Sequence, residues 1–123
     1  PYKLHAFWDD RLGTDSHFPT VRSMAESLSR NPRFKDDQLP ELRQHLSFES
    51  WAAESYLAAK TNVYLNGDLQ FALWDDIDQR RIEVDDVPIL PQGVETKANA
   101  LARRRVVLAG YRLAERLKQI VEP

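Results

Sequence analysis

At 123 residues and 42% hydrophobic, with charged residues of both signs and only 4 glycines, the chain falls in the range of one globular domain and outside the disordered class. A formal net charge of -2 offers no bulk attraction for polyanions, so nucleic-acid binding requires a local patch or metal ions. The lack of cysteine excludes a disulfide framework and a thiolate zinc site, and no apolar run approaches the roughly 18 residues that span a membrane.

Leu4, Phe7, Trp8 and Leu12 recur at helical spacing, which predicts a short helix from Leu4 to Leu12 with Gly13 as its stop. Thr14 to Pro19 reads as a loop. A second helix is expected from about Thr20 to Arg30, with Val21, Met24, Ala25 and Leu28 on one face, ended by Asn31-Pro32. Phe34 to His45 is highly charged and holds Pro40, so it predicts a solvated connection or a short helical turn. Ser47 is a natural N-cap for a strong helix reaching about Leu65, with Phe48, Trp51, Ala52, Ser55, Ala58, Ala59 and Val63 along one stripe. Asn66-Gly67-Asp68 stops it.

Between Leu69 and Gly93 the alternation of Leu69, Phe71 and Leu73, and of Ile82 and Val84, permits a small hairpin. Pro88 and Pro91 limit strand pairing and no tight-turn signature joins the two halves, so 69–92 is expected to be irregular. After Gly93, Val94, Ala98, Leu101, Ala102, Ala109, Leu113, Leu117 and Ile120 mark one face of a helix of about 27 residues, about 40 Å long. The expected fold class is all-α, with no internal repeat.

His5 and Asp9 stand four residues apart, so a helix brings the imidazole and the carboxylate to one face with their tips able to meet. That is a metal-ligand spacing, and equally the spacing of a surface ion pair. Their neighbours Leu4, Phe7 and Trp8 suggest a partly buried pair in need of a further partner. Zinc takes four donors, so the remaining ligands must come from elsewhere. His17 and His45 fall in predicted loops and read as exposed histidines without a role. Arg103-Arg104-Arg105 spread over a wide arc of the last helix, as a solvated face with packed stems does, in preference to a phosphate patch. Trp8, Trp51, Trp74, Tyr56 and Tyr64 could stack bases, but helical aromatics are usually core and only Trp74 lies in a loop-like stretch. Glu54, Asp75 and Asp76 read as surface carboxylates.

The run His5-Ala6-Phe7-Trp8-Asp9, followed by Trp51 and Glu54-Ser55 and then by Ala109-Gly110-Tyr111-Arg112-Leu113-Ala114, resembles the C-terminal half of the zinc-dependent single-strand nucleases. These are the plant and fungal type I nucleases with their bacterial relatives, which share a fold with the bacterial zinc phospholipases C. The resemblance implies a mostly helical fold holding three zinc ions in a cleft. His5 and Asp9 would be two protein ligands of one zinc, with a further histidine just upstream of the chain. It implies metal-assisted, in-line phosphoester hydrolysis of single-stranded DNA or RNA and of 3'-nucleotides, leaving 5'-phosphate ends. Asp10 and Arg11 become candidates for substrate contact, although Asp10 stands where a small polar residue is expected and a second carboxylate repels phosphate unless it points away. The phospholipase branch typically carries glutamate where Asp9 stands, which favours the nuclease branch.

On this reading residues 1–123 are the C-terminal part of one helical nuclease domain whose N-terminal portion is its first partner. The chain alone would be inactive, and the complete enzyme secreted or periplasmic, with no membrane association. Two other readings stay open. One is a noncatalytic helical interaction module in which His5 and Asp9 form an ion pair and the last helix presents a partner-binding face. The other is a phospholipase C-type phosphodiesterase.

Overall fold

The computed structural model describes residues 3–122, and these are helical with no β-strand among them. Helix α1 (Leu4–Asp9) runs into a 3-10 turn at Asp10–Leu12. Gly13, at φ 100, lets the chain leave in a left-handed conformation that a side chain would oppose. Helix α2 (Phe18–Arg30) starts two residues before the expected Thr20. Pro19 lies in its first turn, where a missing N–H leaves no bond unmade. Ahead of it, Asp15 accepts from the His17 backbone N–H at 2.9 Å and from Thr20 Oγ1 at 2.7 Å, which fixes the loop onto the helix.

Helix α3 (Glu41–Gln44) is the short turn allowed for after Pro40. Helix α4 (Phe48–Ala58) opens on a reciprocal cap: Ser50 N–H donates to Ser47 Oγ at 3.2 Å and Ser47 N–H to Ser50 Oγ at 3.1 Å. The single helix expected to Leu65 instead gives way to a π turn at Ala59–Val63, closed by Tyr64 N–H on the Ala59 carbonyl at 3.0 Å. Across the break Thr61 Oγ1 donates to the Leu57 carbonyl at 2.8 Å and Asn62 Nδ2 to the Ala58 carbonyl at 3.1 Å. A 3-10 turn at Leu65–Gly67 then ends the segment, with Asn66 at φ 59 and Gly67 at φ 100.

The permitted hairpin in 69–92 does not form among the described residues. Trp74–Asp78 winds instead into helix α5, whose first turn holds Asp75 and Asp76 where the helix dipole favours negative charge. A 3-10 turn follows at Val84–Asp86. Helix α6 (Val94–Val121) has 28 residues and is therefore about 42 Å long. It is the spine: α2, α3, the Asp10–Leu12 turn and the Ala59–Val63 turn all pack on it.

The fully packed interior is small, consisting of Phe7, Leu39, Leu69, Ala98 and Leu108. The expected apolar stripe of α6 is therefore only half used. Ala98 is buried, whereas Leu113, Leu117 and Ile120 stand 61%, 53% and 75% exposed, although Arg112 and Arg116 on the same stretch of α6 still meet Glu54 and Phe48 of α4. No helix of the described residues is long and apolar enough to cross a membrane.

Candidate metal-binding site

Helix α1 is held by one face. Phe7 is buried, Trp8 meets it edge-on at 5.8 Å between ring centroids, and the Arg11 guanidinium lies 4.0 Å from the Phe7 ring. Residues two positions either side of Phe7 fall about 200° round the helix, on the opposite face. His5 and Asp9 occupy those positions. Their side chains are 90% and 61% exposed, with His5 Nε2 3.0 Å from Asp9 Oδ2. The tips do meet, but the partial burial expected from the apolar neighbours is absent, since Phe7 takes the buried face for itself. An exposed histidine–aspartate pair is worth little as an ion pair and leaves both groups free to exchange partners.

The donor set suits zinc chemically. Imidazole nitrogen and carboxylate oxygen are both ordinary zinc ligands, and two donors bound at about 2.1 Å with tetrahedral angles stand about 3.4 Å apart, close to the separation here. Among the described residues no three His, Cys, Asp or Glu side chains come together to hold a metal ion. His5 and Asp9 could thus fill two positions of a shell whose other donors lie elsewhere.

The remaining candidates are dispersed. Asp10 is half-buried and begins the 3-10 turn. Arg11 is only 12% exposed: its Nε donates to the Phe7 carbonyl at 2.6 Å and its Nη1 to Glu95 Oε1 at 2.9 Å. His17, 87% exposed, bonds Asp15 at 2.6 Å. The Asp15 carboxyl is held below its ordinary value by the His17 backbone N–H, helped by Thr20 and the His17 ring. Trp74 is half-exposed, with Lys3 Nζ 5.0 Å from its ring centre.

Glu54 is a correction to the sequence reading. Expected at the surface, it is 13% exposed and receives Arg105 and also Arg112, whose Nη2 donates at 2.7 Å; His45 Nε2 approaches at 3.9 Å. The reading of Arg103-Arg104-Arg105 as one solvated face changes with it. Arg103 is exposed, but Arg104 grips Glu41 through two bonds of 2.6 Å and Arg105 turns to Glu54. The hydrogen bonds from Arg104 hold the Glu41 carboxyl below its ordinary value, while burial pushes the Arg105 and Arg112 guanidinium groups down. Trp51 is stacked against Arg112 and Arg116, at 5.1 Å and 5.3 Å. The sequence held one signal for this network: Arg105 and Arg112 are seven residues apart and so share a face of α6.

Among families of known proteins, the family described as S1/P1 Nuclease matches this chain over residues 1–122. No curated protein and no solved structure matches it at the level required of a relative. The match spans almost the whole chain, and its helical fold is the one observed: the chain belongs to the S1/P1 nuclease family, zinc-dependent enzymes that hydrolyse phosphodiester bonds in nucleic acids.

Proposed function

We propose that this chain is the C-terminal part of a zinc-dependent nuclease domain, and that His5 and Asp9 supply two donors to one of its zinc positions. The complete enzyme then cleaves single-stranded DNA and RNA, and 3'-nucleotides, leaving 5'-phosphate ends, and works outside the cytoplasm as a secreted or periplasmic protein. The observation that carries the reading is the convergence of His5 Nε2 and Asp9 Oδ2 to 3.0 Å on an exposed face, within a chain of this family.

Surface area supports the incomplete domain. The chain exposes 9635 Å² for a mass of 14.3 kDa, where a folded monomer of that size exposes roughly 6,800 Å². Phe48, Leu57, Leu113 and Ile120 are among the exposed apolar residues that a further part of the same polypeptide would cover.

The chain's own residues hold the donors. Phe7 anchors α1 from the buried side, and the opposite face presents the imidazole and the carboxylate together. His5 and Asp9 would hold zinc there, which when bound would make a nucleophile available near neutral pH and offset charge on the phosphate. That local positive charge would let a chain whose own net charge is -2 contribute to a site for a polyanion.

The test is cleavage of denatured DNA by the complete enzyme, with and without a chelator, in wild type and in His5→Ala. Chelator-sensitive cleavage that His5→Ala abolishes is the expected result. Cleavage unaffected by both treatments would contradict the proposal. Hydrolysis of phosphatidylcholine in preference to denatured DNA would move the enzyme to the phospholipase branch.

A further inference from the structure

We propose that Arg11, braced by Glu95, is a positioning residue: it fixes helix α1, and with it the His5–Asp9 donor pair, against the first turn of α6. The inference rests on the assignment of His5 and Asp9 as metal ligands.

A helix of six residues does not hold its own shape, and its last carbonyls have no partner within the helix. Arg11 answers both needs. Its Nε donates to the Phe7 carbonyl at 2.6 Å, its guanidinium lies 4.0 Å from the Phe7 ring centre, and its Nη1 reaches Glu95 Oε1 at 2.9 Å in the first turn of α6. One side chain thus touches the backbone of α1, its buried anchor and the spine. Phe7 stands midway between His5 and Asp9, so the residue Arg11 grips is the one whose placement sets both donors.

The guanidinium is already committed to these three contacts and is 12% exposed, which sets it apart from a side chain waiting for phosphate. Glu95, at 71% exposed, is the weaker partner, because solvent screens its attraction. Lysine cannot replace the arrangement. Its single ammonium lacks the planar fork that bonds a carbonyl and a carboxylate at once while stacking on a ring. The effects should therefore rank Arg11→Ala, then Arg11→Lys, then Glu95→Gln.

The experiment uses the complete enzyme and measures zinc affinity by chelator competition, amide exchange over residues 5–12, and kcat and KM on denatured DNA. Arg11→Ala should weaken the affinity of one zinc position about ten- to hundredfold, the usual effect of removing support behind a ligand. Exchange in α1 should rise, and saturating zinc should restore kcat with KM unchanged. Glu95→Gln should show the same changes to a smaller degree and serves if Arg11→Ala does not fold. Wild-type zinc affinity and exchange in Arg11→Ala, with a raised KM, would overturn the proposal and make Arg11 a substrate contact. A His5→Ala variant with undiminished zinc would instead sink the ligand assignment, leaving the exchange measurement to judge the brace alone.

Discussion

Two carboxylates in this molecule meet a nitrogen donor at nearly the same distance and are left with opposite capacities. Glu54 lies 2.7 Å from Arg112 with 13% of its side chain exposed, and Asp9 lies 3.0 Å from His5 with 61% exposed. Around Glu54 the cost of burial is already offset by Arg105 and Arg112 on one face of α6, with His45 alongside, so nothing remains to offer an incoming ion. Asp9 keeps its lone pairs in water, and its partner can exchange a proton for a metal. Similar contacts thus close off a carboxylate where they are enclosed and, on the proposed reading, leave one available to a metal where they are open.

The largest expected effect is on the enclosed side. Glu54→Ala leaves two guanidinium groups facing each other without their shared counter-charge and should cost about 3 kcal/mol of stability, read by thermal unfolding. A loss under about 1 kcal/mol would mean that water reaches this network and that the comparison fails. Glu41→Gln comes next, at about 1 kcal/mol, since its pair with Arg104 is only partly buried. Its pH dependence has a defined sign. The folded Glu41 carboxyl sits below its ordinary value because of Arg104, so its contribution is complete above the unfolded value and is lost as pH falls through the folded one. Wild type should lose this increment on acidification and Glu41→Gln should not. In the metal-free protein His5→Ala should be the mildest for stability, within about 0.5 kcal/mol, because an exposed ion pair adds little.

Most of the helices were legible in the sequence, because caps and 3.6-residue periodicity are local signals. Ser47, Gly13 and Gly93 mark boundaries that the structure keeps. The π turn after Ala58 was not legible as a break, since neither proline nor glycine interrupts Ala59–Val63. The meeting of His5 with Asp9 was readable from spacing alone, but their exposure was misjudged from the hydropathy of their neighbours. The angle from Phe7 decides it. Glu54 could not be placed, because the two arginines that pair with it lie more than fifty residues away and only the docking of α4 on α6 brings them together.

The most direct test of the central claim is zinc bound per molecule of the complete enzyme, compared between wild type and His5→Ala with the melting temperature measured on the same samples. His5→Ala should bind one zinc fewer, while its metal-free form melts as the metal-free wild type does. Undiminished zinc in a folded His5→Ala protein would contradict the claim and leave His5 and Asp9 as no more than an exposed ion pair.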